Sequence, residues 1–132
     1  MNSGHIVARQ VNNRDRKVEE HLRISRQFLR QAEREFAQGD RLQASEKAWG
    51  AAAHVVKAVA QQRGWQHDGH RYLFEAIDRI YRETGDSQIR DLFRIANSLH
   101  MNFYENWQSD DLVQDGIGRV EVLLAKLEPL VD

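Results

Sequence analysis

Proline is absent from the first 128 residues of this 132-residue chain, and Pro129 is its single proline. Proline fixes φ and offers no backbone N–H, so helix interiors reject it while turn-rich β folds use it often. A long proline-free body therefore points to helices. This length predicts one domain and suffices to bury a core without staples. Cysteine is also absent. Disulfides and thiolate metal sites are thereby removed, and a reducing interior fits.

Hydrophobic periodicity divides the chain into helices. Residues 1–13 show no pattern and read as a flexible N-terminal arm; residues 14–132 read as a single helical domain. From Asp15, the positions Val18, Leu22, Ser25, Phe28, Leu29, Ala32 and Phe36 form one stripe at three- and four-residue spacing. Gly39 stops this helix and Asp40 caps the next. The second stripe is Leu42, Ser45, Trp49, Ala52, Val56, Val59 and Ala60, closed by Gly64. It contains GAAA at 50–53, which admits a neighbouring backbone closely. Gly50 costs about 1 kcal/mol against alanine in a helix interior, so close packing on another helix or a partner is expected to compensate.

A third helix begins near Asp68 or Gly69, buries Leu73, Phe74, Ile77, Ile80 and Tyr81, and ends at Gly85. Asp86 or Ser87 caps a fourth, with Ile89, Leu92, Phe93, Ala96, Leu99, Phe103 and Trp107 as its stripe. Ser109 before Asp110 and Asp111 starts a fifth, which buries Leu112, Val113, Ile117, Val120, Leu123, Leu124 and Leu127. Short links favour antiparallel neighbours. The expectation is an all-α, antiparallel up-and-down bundle of four to five helices. No repeat period suggests a solenoid.

Net charge is −1, from 19 basic and 20 acidic residues. That excludes a strongly basic nucleic-acid coat over the whole chain, though not a local patch. No run of about 18 apolar residues predicts a membrane span, so no membrane partner is expected. The N-terminus lacks an apolar signal-peptide core, and the expected location is the cytoplasm. Phosphate-binding glycine loops, nucleophile elbows and His-Glu-x-x-His helices are missing from the sequence. No cofactor is expected.

The remaining chemistry lies in histidines and their neighbours. His67 and His70 could share a metal if helical, but Gly69 between them marks a turn and no third ligand is evident. No metal site is expected. His54 and Lys57 sit on the second helix beside small residues, where they read either as a solvated face or as substrate-binding groups at an interface. The densest set is RIANSLHMNFYEN, residues 94–106. Asn97, His100 and Tyr104 recur at steps of three and four, so they share a face. Arg94 lies six positions before His100, about 120° away around an ideal helix. An imidazole can move a proton to or from a ribose or leaving oxygen. A guanidinium can stabilise charge building on a phosphate. Asn97 and Tyr104 can orient a phosphate or stack on a base. The plainer reading is that His100 bonds a neighbouring helix while Leu99, Phe103 and Trp107 are core.

Two segments, ASEKAWGAAAHVVKAVAQQRGW at 44–65 and LFRIANSLHMNFYEN at 92–106, together resemble the PaREP branch of the HEPN superfamily. His70 also fits that resemblance. The resemblance implies a compact, commonly homodimeric bundle that binds RNA or nucleotides. HEPN ribonucleases carry an arginine and a histidine on one helix, face each other across a dimer and cleave RNA without metal. The matching catalytic positions here are Arg94 and His100. Such domains often serve toxin–antitoxin pairs or defence, and others partner a small nucleotidyltransferase. Ile95 stands directly after Arg94, where active members usually place a polar residue. Catalysis is therefore left open. The alternative is a non-catalytic helical partner of a nucleotidyltransferase or toxin-like protein, or a structural homo-oligomer.

Overall fold

The computed structural model describes residues 13–131. It contains α1 (Asn13–Ala37), α2 (Arg41–Arg63), α3 (His70–Thr84), α4 (Ser87–Glu105) and α5 (Asp110–Leu127), then a 3-10 turn at Glu128–Val131. There is no strand among the described residues. The N-terminal arm expected for residues 1–13 lies outside them, except that Asn13 is the first residue of α1.

Local chemistry sets the helix ends where the sequence implies. The Asp40 side chain accepts from the Gln43 N–H at 3.0 Å. Asp86 accepts from Gln88 N–H, and Ser109 from Leu112 N–H. Each satisfies one orphan donor of a first turn. Gly64 and Gly85 close their helices at φ 75° and 71°, where a side chain would be strained. α4 ends differently. Asn106 takes the left-handed cap at φ 50°, and its side chain accepts from Arg41 at 3.0 Å.

Contacts between elements fix their directions. Ser25 donates to the Ala51 carbonyl, and His21 meets His54, so α1 and α2 run antiparallel. Asn102 meets Ser45 and Phe93 meets Trp49, so α2 and α4 are antiparallel. Arg90 pairs with Asp78 and Asn97 with His70, which sets α3 against α4 in the same way. Lys126 pairs with Asp86, bringing the end of α5 back to the start of α4. Arg26 holds Glu128 through two 2.6 Å bonds and ties α1 to the C-terminal turn.

α2 is the axis of the bundle. The sequence suggests a single stripe, but burial runs round most of its circumference, including Ala44, Ala48, Ala51, Ala53, Val55 and Ala58. Small side chains allow this, because α1, α3, α4 and α5 can all approach α2. The GAAA segment is consumed inside the chain: Ala51, Ala52 and Ala53 are buried, and the Phe28 ring lies 3.0 Å from where a Cβ on Gly50 would stand. It is not a surface left for a partner.

Two apolar expectations are corrected. Trp107 is 55% exposed because α4 has already ended at Glu105. Leu112 is 51% exposed, while its neighbour Val113 in the same turn is the residue that is buried. Asn102, by contrast, is fully buried. Its amide donates to Ser45 Oγ at 3.1 Å, and its oxygen accepts from Trp107 N–H at 2.8 Å and Gln108 N–H at 2.7 Å. One side chain thus closes α4 and turns the chain toward α5. Buried Gln108 adds bonds to the carbonyl and hydroxyl of Ser98.

Candidate functional site

His100 emerges on the side of α4 that meets α2 and the start of α3. Its Nδ1 lies 2.8 Å from Oε1 of Glu46, and its side chain keeps 21% of its exposure. Glu46 and Trp49 stand three residues apart on α2, one turn of the same face. The buried Trp49 ring forms the floor, with its centroid 5.2 Å from His100 and 4.8 Å from His70. His70 stacks on that floor at an interplanar angle of 21°. Its ring centroid is 5.0 Å from that of His100.

His70 is the first residue of α3, preceded by a Gly69 cap at φ 110° that supplies no side-chain bond. The ring is held instead by Asn97, whose Oδ1 accepts from Nε2 at 3.1 Å. Tyr104, one turn beyond His100, meets it edge-on at 5.4 Å and is 71% exposed. Asn97, His100 and Tyr104 are therefore joined through a patch with an aromatic floor, two imidazoles and a phenol.

Arg94 is placed apart from this contact set. It is 66% exposed and its guanidinium pairs with Asp91 at 2.9 Å, one turn earlier on α4. An exposed i,i+3 pair contributes little stability, so the guanidinium can exchange this partner at small cost. Ile95 is half-buried.

His54 and Lys57 belong to a second group. Nδ1 of His54 lies 2.9 Å from Nδ1 of His21, and the His21 ring meets His67 edge-on at 5.6 Å. Burial, then the positive charge of Lys57, pushes the His54 imidazole down to about 4. His21 is also lowered, by burial first and then by His67. Neutral rings sharing one proton fit this half-buried position. His67 and His70, three positions apart in sequence, are thereby split between two clusters. No hydrogen bond or ring contact joins the clusters among the described residues. No group of three or more His, Asp or Glu side chains there has the arrangement to hold a metal ion.

Sequence reasoning left Glu46, Trp49 and His70 out of the site. Glu46 and Trp49 carried a usable signal, a carboxylate and an indole one helical turn apart. Their pairing with His100 spans a tertiary contact that spacing does not encode.

No helix among the described residues is long and apolar enough to cross a membrane. No curated protein matches the sequence. A crystal structure of a protein from Sulfolobus solfataricus superposes with a TM-score of 0.74 at 20% identity, covering 83% of this chain and 97% of that one. That likeness establishes a shared fold. The model of the archaeal PaREP1/PaREP8 family matches residues 20–124, which includes all of α2, α3 and α4 and both segments around the patch. The chain belongs to the archaeal PaREP1/PaREP8 family.

Proposed function

We propose that this protein is a HEPN-like domain that binds RNA or nucleotides at the patch around His100, and that cleaves RNA without a metal when Arg94 supplies the phosphate-binding charge. The observation that carries the reading is the His100–Glu46 pair set beside exposed Tyr104 and His70. A carboxylate that holds one imidazole nitrogen orients the ring and leaves the other for proton transfer. Tyr104 offers an exposed face for a base, and unpaired bases stack readily on such rings. Arg94 lies on the same helix, its charge held only by an exposed neighbour. A homodimer, as the HEPN resemblance implies, would bring a second Arg94 and His100 to the patch. The test is cleavage of single-stranded RNA in excess chelator by wild type, Arg94→Ala and His100→Ala. Loss of cleavage in both variants supports the reading; equal cleavage in all three overturns the catalytic role.

A second reading, a non-catalytic partner module, is favoured by a separate observation. Met101, Tyr104, Trp107 and Leu112 are all exposed near the junction of α4 and α5. Large exposed apolar side chains in one region mark contact surfaces. This reading predicts a stable complex with another protein, weakened by Trp107→Lys, and no RNA turnover. A chain that turns over RNA and captures no partner rules it out.

A further inference from the structure

The second imidazole beside His100 is that of His70, whereas Arg94 is turned to Asp91. The two imidazoles lie 5.0 Å apart between ring centroids and share the Trp49 floor. Each ring is fixed through one nitrogen. Nε2 of His70 donates to the Asn97 amide oxygen, and Nδ1 of His100 donates to the Glu46 carboxylate. Both acceptors are oxygens, so these nitrogens carry the protons of the neutral rings. Nδ1 of His70 and Nε2 of His100 then hold lone pairs, and neither has a hydrogen-bond partner among the described residues. Two neighbouring imidazoles, each anchored by one nitrogen and free at the other, can serve as base and acid in a single reaction.

We propose that His70 and His100 form an acid/base pair within one chain that cleaves RNA by internal transesterification. The proposal rests on the reading of the patch as an RNA site. The neutral imidazole takes the proton of a ribose 2′-hydroxyl, and the 2′-oxygen bonds to the adjacent phosphorus. The bond from phosphorus to the 5′-oxygen breaks, and the protonated imidazole gives its proton to that oxygen. The products are a 2′,3′-cyclic phosphate and a 5′-hydroxyl. No water is consumed, no electron moves to or from another reactant, and no second subunit is needed to supply a catalytic imidazole. Trp49, Asn97 and Glu46 are positioning residues: they set the ring planes and tautomers.

The experiment uses an oligodeoxynucleotide carrying a single ribonucleotide, with excess chelator, and measures binding by fluorescence anisotropy alongside cleavage. Wild type is expected to cut only at the ribose and to leave a cyclic phosphate. His70→Gln and His100→Gln are each expected to slow cleavage by about 100-fold or more, the usual loss of a general acid or base, while still binding the oligonucleotide. The wild-type rate should pass through a maximum with pH, and each variant should lose one limb of that profile. His70→Ala should recover cleavage with added imidazole, which a folding defect would not. If wild type binds RNA and never cleaves it, or cleaves it equally well without His70, the acid/base pair is wrong and RNA binding stands. If wild type neither binds nor cleaves, both readings fall.

Discussion

Nδ1 of His100 and Oε1 of Glu46 lie 2.8 Å apart although 54 positions separate them in the chain. This bond joins the helix that carries the candidate chemistry to the central helix of the bundle. It fixes the plane of an imidazole that still reaches solvent. Glu46→Gln keeps the size of the side chain and removes its charge. Weakening a charge-assisted hydrogen bond by about 1.5 kcal/mol corresponds to about a tenfold slower turnover. RNA cleavage by Glu46→Gln should show that loss, with binding retained. Unchanged turnover would remove Glu46 from the site.

Asn102 holds the α4–α5 turn through three side-chain bonds in a fully buried position. Asn102→Ala strands the N–H groups of Trp107 and Gln108 and removes a donor to Ser45, whose hydroxyl keeps its bond to the Arg41 carbonyl. The expected cost is about 2–3 kcal/mol, the range for leaving buried polar groups unpaired. Urea unfolding measures it as a lower midpoint at constant slope. A change below about 0.5 kcal/mol, typical of an ordinary surface site, would show that the turn is held by something else.

Gly116 and Gly118 lie two residues apart on α5 and should respond oppositely to alanine. A Cβ on Gly116 would stand 2.9 Å from Cδ2 of Leu99, which is fully buried and has little room to move. Overpacking of this kind costs about 1–3 kcal/mol and outweighs the propensity gain of about 1 kcal/mol. A Cβ on exposed Gly118 meets nothing within 4 Å. Gly118→Ala should stabilise by about 0.5–1 kcal/mol. Thermal melts of the two variants should move in opposite directions. A gain from Gly116→Ala would contradict the packing of α4 on α5.

The histidine pair between α1 and α2 predicts acid lability. Burial and Lys57 hold His54 down at about 4, and His21 is lowered too. An unfolded histidine binds its proton near 6.5. Above that value both states are neutral and the pair adds no pH dependence to stability. As pH falls from about 6.5 toward about 4, the unfolded chain takes up protons that the folded chain refuses, so stability declines. Solvent around this half-exposed ring limits the loss to about 1–2 kcal/mol. Below about 4 the folded ring protonates as well and the decline from His54 ends. Denaturant titrations across this window should show a shallower pH slope for His54→Gln. An unaltered slope would mean that the pair does not titrate as described.

The helices and their ends were legible because each is set by local chemistry. Asp40, Gly64, Gly85 and Ser109 act within a few residues of their own positions. The stripes on α1 and α3 were readable for the same reason. Trp107 misled because periodicity continues past the cap that Asn106 and Asn102 impose. Nothing in the sequence marks the role of Asn102, since its partners Ser45 and Gln108 become neighbours only after α2 and the turn have packed. The candidate site was half legible. Asn97, His100 and Tyr104 follow from helical spacing. Glu46, Trp49 and His70 join them only through the packing of three helices. His54 and Lys57 face a different set of neighbours for the same reason.

The most direct test of the central claim is a titration of the histidine ring resonances with a single-stranded oligoribonucleotide, followed by NMR. The patch around His100 as an RNA site predicts saturable shifts of the His70 and His100 rings, with His21, His54 and His67 unmoved. Shifts confined to the His21, His54 and His67 rings, or none in any ring at saturating RNA, would contradict it.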